Sequence, residues 1–156
     1  MQMSSFFSAL ALGSAALLAA HPAVAQQKLV PAQSEVQFTA RQMGVPLEGH
    51  FKKFDAQVSF DPAKLATSKI VFTVDTGSAT MGSRETDAEL PKATWFNVPQ
   101  FPQATFQSSA IKALGAGKFE VTGKLSIKGL ARDVVVPVTL MQNGATTLAT
   151  GALPLK

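Results

Sequence analysis

Residues 54–60 read FDAQVSF. Phe54, Ala56, Val58 and Phe60 fall on one face, and Asp55, Gln57 and Ser59 on the other. Alternation of period two marks a strand with one face buried and one in water. The same reading extends in both directions. Upstream, Glu35 to Ala40 (EVQFTA) groups Val36, Phe38 and Ala40. Downstream, Lys69 to Asp75 (KIVFTVD) groups Ile70, Phe72 and Val74. Phe119 to Lys128 sets Phe119, Val121, Leu125 and Ile127 against Glu120, Thr122, Lys124, Ser126 and Lys128. Arg132 to Leu140 aligns Val134, Val136, Val138 and Leu140, and Thr146 to Leu153 reads as a last strand. Turn residues punctuate these runs at Asp61-Pro62, Gly115 to Gly117, Gly129 and Asn143-Gly144. Asn143-Gly144 predicts a two-residue hairpin. Pro137, inside its run, predicts an edge strand or a bulge.

The chain is therefore predicted to be all-β and antiparallel. Strands with one apolar face must pack as two sheets or close on themselves. About eight strands make a barrel whose interior is either filled or holds one small ligand. One stretch departs from the pattern. Residues 82–99 read GSRETDAELPKATWFNVP. Ser83 is placed to cap a short helix, Glu85 and Asp87 suit its first turn, and Pro91 limits it. Such an insert is expected to plug one end of a barrel.

The first residues differ from the rest. Phe6 to Ala20 is uncharged and rich in small residues, and Ala23-Val24-Ala25 follows as an A-x-A site. The run falls short of the roughly 20 residues that span a bilayer as a helix. This is the layout of a secretory signal peptide over 1–25, ahead of one domain at 26–156. The chain has no Cys, which excludes disulfides, zinc–thiolate sites and Cys nucleophiles. The net charge of +4 comes from scattered basic residues, with Lys52-Lys53 adjacent. That is a solvated surface, and no nucleic-acid partner is expected.

Little in the sequence carries chemistry. His50 is the one His outside the leader, and no G-x-S-x-G elbow accompanies it. It is expected at the start of a strand. One His with scattered carboxylates is too few for a transition-metal site. Glu85, Asp87 and Glu89 share one short helical segment with Arg84, so dipole and local pairing explain them. No catalytic residue, metal or cofactor is predicted. The rings are the informative feature: eleven Phe and one Trp, without a Tyr. They build either a filled core or a cavity lined by apolar groups. Composition leaves both open.

The order of these segments resembles the YceI-like family from about Ala32 to Leu155. The most specific part runs through Arg84, Asp87, Leu90, Trp95, Phe96, Phe101-Pro102 and Phe106. The second marker, G-x-L-x-I-x-G, is Gly123, Leu125, Ile127 and Gly129. Trp95 stands where many members carry a different aromatic residue. The resemblance implies a lipocalin-like antiparallel β-barrel with a polyisoprenoid or similar long-chain lipid inside it. It also implies a periplasmic location and no assigned catalytic residue. In the family, a stretch such as Gly151 to Lys156 is followed by at least one more strand. The expectation here is thus a barrel incomplete at its C-terminal side, with an open edge that invites a homodimer.

On that footing, Phe38, Phe54, Phe60, Phe72, Trp95, Phe96 and Phe106 are expected to line the cavity. Met43 and Met81 are expected near its mouth, and Arg84 is placed to meet a polar or anionic head group or to pair with Asp87 or Glu85. Transient contact with a membrane surface is a further expectation. Two alternatives stand beside the carrier: a filled-core stress-response or interaction module without ligand, and a lipid-acting enzyme using His50.

Overall fold

The computed structural model describes residues 26–155. The expected leader, 1–25, lies outside them. The strands are β1 (Gln27–Lys28), β2 (Val36–Gln42), β3 (Val45–Phe51), β4 (Phe54–Ser59), β5 (Lys69–Asp75) and β6 (Ala79–Thr80). After one helix, α1 (Arg84–Glu89), come β7 (Gln103–Gly115), β8 (Lys118–Ile127), β9 (Leu130–Asn143) and β10 (Thr146–Gly151). The larger sheet has the order β1-β4-β5-β7-β8-β9-β10, the smaller β2-β3-β6. Every pairing is antiparallel. The sheet curls strongly into a half-barrel, in agreement with the expected all-β class.

The chain passes from the smaller sheet to the larger at Lys52 and Lys53, between β3 and β4. Ser78 pins this corner. Its carbonyl accepts from Lys52 N at 3.1 Å and its Oγ from Lys53 N at 2.9 Å.

The period-two runs became β2, β4, β5, β8 and β9, and the expected last strand became β10; of the strands longer than two residues, β3 and β7 gave no such signal. In β7, Ser108 pairs with Gly123 and Ala110 with Thr122, which leaves Ser109 as a bulge. The extra residue reverses the phase of alternation, so Phe106 and Ser108 share a face with Ile111 and Ala113. In β3, Pro46, Glu48 and Gly49 break the apolar pattern. His50 consequently lies near the end of β3, not at a strand start, opposite Gln37 and Thr80.

Two turn expectations are refined. Asn143 pairs with Thr146, so the hairpin loop is Gly144-Ala145, one residue later than Asn143-Gly144. Gly144 has φ +63°, which suits the first central position of a primed turn. Pro137 is at an edge, as expected. β10 pairs with residues 138–143 of β9, and Pro137 lies just beyond. Its missing N–H removes no bond on that side.

Helix α1 begins after Ser83, whose carbonyl accepts from Asp87 N at 2.8 Å. The Ser83 hydroxyl makes no cap bond, contrary to expectation. The Asp87 carboxylate instead reaches back to β6. It accepts from Thr80 Oγ1 at 2.5 Å and from Met81 N at 2.7 Å. Thr80 is 4% exposed, so these bonds fasten the helix where water competes little.

Candidate functional site

The registers place one set of side chains on the concave face. Phe54 pairs with Val74, Ala56 with Phe72 and Val58 with Ile70. Phe72 pairs with Phe106, and Phe106 with Leu125. Val121 pairs with Val136 and Phe119 with Val138. In the smaller sheet, Phe38 pairs with Gly49 and Val36 with Phe51. Opposite partners in an antiparallel pair share a face. These residues thus form one continuous apolar surface across both sheets.

The rings on it fall into groups. Phe38, Phe51 and Phe96 form a triad with centroids 5.0 to 5.4 Å apart. Phe54 stacks on Phe72 at 6.1 Å. Toward the other end of β4, Phe60 meets Phe119 edge-on at 5.3 Å. Phe106 lies flat over Gly123, and Phe38 over Gly49. A Cβ at position 49 would stand 2.3 Å from Phe38 Cζ, so the strand must leave that space to the ring.

This surface is not a sealed core. Among the described residues, Val74, Leu90 and Val121 are its fully buried apolar side chains. Phe38, Phe54, Phe60, Phe72, Phe106 and Phe119 are only half-buried. Val134, Val136 and Val138 of β9 are half-buried as well.

The segment after α1 crosses one end of the half-barrel. Leu90 is 1% exposed, and its carbonyl accepts from Phe96 N. Phe96 then touches the smaller sheet through Phe38 and Phe51. On the far side, Lys128 Nζ donates to Ala93 O at 2.6 Å, and Phe101 covers Gly129. Thr76 Oγ1 donates to Phe101 O at 2.8 Å. The insert is thus bolted to both sheets.

The residues singled out in the sequence divide accordingly. Phe38, Phe54, Phe60, Phe72 and Phe106 stand on the apolar face, and Phe96 joins them from the insert. Trp95 is half-buried in the insert, beside Phe96. Met43 stands at the tip of the β2–β3 hairpin, 100% exposed and with φ +52°. Met81 lines a separate surface hollow with Leu47 and Thr86. Arg84 is exposed on α1 and takes part in neither ion pair that joins described residues, Lys92–Glu89 and Lys124–Asp133. Its expected partner Asp87 is engaged by Thr80 and Met81 instead. Phe51 and Phe119, which also stand on the apolar face, were not among the expected lining residues.

Polar groups gather at the β3–β4 corner. A hollow of about 500 Å³ there is lined by Pro31, Ser34, Glu35, His50, Phe51, Lys52, Lys53 and Phe54. Ser34 Oγ donates to Val30 O at 2.8 Å. The Thr80 hydroxyl, then the Met81 N–H, hold the Asp87 carboxyl below its ordinary range, helped by the charges of Lys52 and His50.

The half-exposed apolar face, the bolted insert and the glycines beneath the rings invite comparison with known proteins. The YceI-like domain matches residues 27–156. The chain belongs to the YceI-like family. A UPF0312 protein of Azotobacter vinelandii is 36% identical over 140 residues, covering 87% of this chain and 72% of that one. The crystal structure of Burkholderia cenocepacia BcnA superposes with a TM-score of 0.77 at 49% identity, over 81% of this chain and 80% of that one. A domain from Saccharophagus degradans, described as polyisoprenoid-binding, matches at TM-score 0.59 and 14% identity, over 78% and 70% of the two chains. That last likeness is one of fold. The YceI-like members are lipocalin-like barrels, and the half-barrel here is built on that plan.

Proposed function

We propose that this protein binds a polyisoprenoid or similar long-chain lipid along the concave face and carries, stores or scavenges it after export to the periplasm. The observation that carries the reading is the state of that face. It is continuous, ring-rich and apolar, yet its rings are half-exposed. A filled-core module would seal such rings, because each partly exposed aromatic side chain leaves part of its burial energy unrealised. Covering a few hundred Å² of it with a lipid tail contributes about 25 cal/mol per Å² before association costs. Membership of the YceI-like family and the fold shared with a polyisoprenoid-binding domain support the same reading. Function by burial needs no catalytic base. The uncharged run Phe6 to Ala20 and the A-x-A site support export.

Trp95, the single Trp, gives a direct test. Farnesol titrated into the purified chain is expected to change its fluorescence saturably, and dodecyl maltoside is expected to compete. An unchanged spectrum, with no farnesol retained on gel filtration, would overturn the reading.

A further inference from the structure

The concave register does not stop at the rings. In the smaller sheet it runs on toward the β2–β3 hairpin, from Phe38 and Gly49 through Ala40 and Leu47 to Gln42 and Val45. Exposure rises along it. Gly49 is buried, Phe38, Ala40 and Leu47 are half-buried, and Val45 and Met43 are 57% and 100% exposed. Four residues at about 3.3 Å each put ~13 Å between Gly49 and Val45. The apolar face thus extends into solvent as a finger. Its tip stands clear of the other described residues: a Cβ at Gly44 would meet nothing within 4 Å.

The tip is built against local preference. Gln42 pairs with Val45, so Met43 and Gly44 are the two central residues of the turn, with φ of +52° and +82°. Such a turn favours Asn, Asp or Gly at its first central position. Here that position holds a long apolar side chain, disfavoured by the backbone and surrounded by water. Arg41 stands two residues away, exposed on the outer face opposite Pro46. Glu48, the hairpin's acid, is set further back, opposite Thr39. From 41 to 47 the one charge is positive.

We infer that the β2–β3 hairpin tip docks on the surface of a lipid bilayer and passes lipid between it and the concave face. This deepens the lipid-binding reading and rests on it. Met43 and Val45 enter the boundary between head groups and acyl chains. Arg41 stays at head-group level, its stem along apolar surface and its guanidinium in water. A stable protein partner would need roughly 800 Å² on each side, far more than two side chains present. A bilayer needs no matched surface, and a contact this small releases readily, as a carrier requires. The row from Val45 to Phe38 gives the lipid tail an apolar path.

The test uses the purified full chain and vesicles of phosphatidylcholine and phosphatidylglycerol in equal parts, with and without farnesol. Co-sedimentation reads docking, and the rate of the Trp95 fluorescence change reads farnesol transfer from vesicle to protein. Met43→Asn suits the turn better, so it should fold at least as stably as wild type. It is expected to weaken vesicle binding about fivefold or more, the effect of withdrawing one Met side chain from an apolar layer. Transfer should slow in proportion, while affinity for farnesol in solution is unchanged. Arg41→Gln should weaken binding to these vesicles and leave the weaker binding to pure phosphatidylcholine as it was. Vesicle binding and transfer that survive Met43→Asn intact overturn the inference, as does an absence of vesicle binding in wild type. A concentration-dependent dimer that Met43→Asn abolishes, without vesicle binding, makes a second copy the occupant and overturns it too. Loss of farnesol affinity in solution in Met43→Asn also overturns it, because Met43 is then part of the binding face. If wild type takes up no farnesol in solution, the lipid reading itself fails and the inference falls with it.

Discussion

The ring of Phe106 occupies the space that a side chain on Gly123 would need: a Cβ there would lie 2.6 Å from Phe106 Cζ. Phe101 stands in the same relation to Gly129, at 2.7 Å from Cε1. Two stretches that look independent in the sequence are therefore halves of one arrangement. The rings of Phe101 and Phe106 come from one side, and the glycines of G-x-L-x-I-x-G receive them from the other.

Alanine at these glycines separates two kinds of crowding. At Gly123 the new Cβ would also meet the Gln107 carbonyl oxygen at 2.4 Å, which is backbone. Gly123→Ala should cost about 1–3 kcal/mol, the usual range for overpacking. Phe106→Leu should not rescue it. At Gly49 the nearest atoms all belong to the Phe38 ring. Phe38→Leu should therefore recover part of the loss in Gly49→Ala, a coupling that a double-mutant cycle in urea reads directly. Strict additivity at Gly49 and Phe38 would contradict the packing described.

Asp87 makes stability depend on pH at the acid end. Its folded pKa is depressed below the ordinary 3.8, first by the Thr80 hydroxyl and then by the Met81 N–H. A depressed carboxyl contributes stability that is present above the unfolded value and lost as pH falls through the folded one. Asp87→Asn should therefore lower the urea midpoint near neutrality, and the gap to wild type should narrow well below pH 3.8. A gap that stays constant with pH would mean that the charge plays no part.

The direction of the strand faces can be tested by charge placement. Phe72 stands on the concave face and Gln57 on the outer one. Phe72→Asp is expected to abolish lipid retention, and Gln57→Asp to preserve it, with circular dichroism confirming that both fold. Equal retention in the two variants would sink the assignment.

His50 is exposed on β3, and the lipid reading gives it no role. His50→Ala should leave farnesol affinity unchanged and shift stability by no more than about 0.5 kcal/mol, as for an ordinary surface site. A selective loss of turnover on any lipid ester would favour the enzyme.

The strands that alternate strictly, such as FDAQVSF, were legible because one face is in water. β7 was not, since its bulge at Ser109 reverses the phase midway and makes Phe106 and Ile111 look like opposite faces. β3 was hidden by Pro46 and Gly49, the latter present to receive Phe38 from a strand read separately. Ring identity pointed to most of the apolar face, because large rings in alternating runs have few other places to go. Met43, expected in a turn near the cavity mouth, stands fully exposed at the tip of the β2–β3 hairpin.

The most direct measurement is mass spectrometry of the organic extract from protein purified out of its native cells. A prenyl or long-alkyl species at about one per chain is the expected result. A clean extract from folded protein, with the rings of the concave face still only half-buried, would contradict lipid binding.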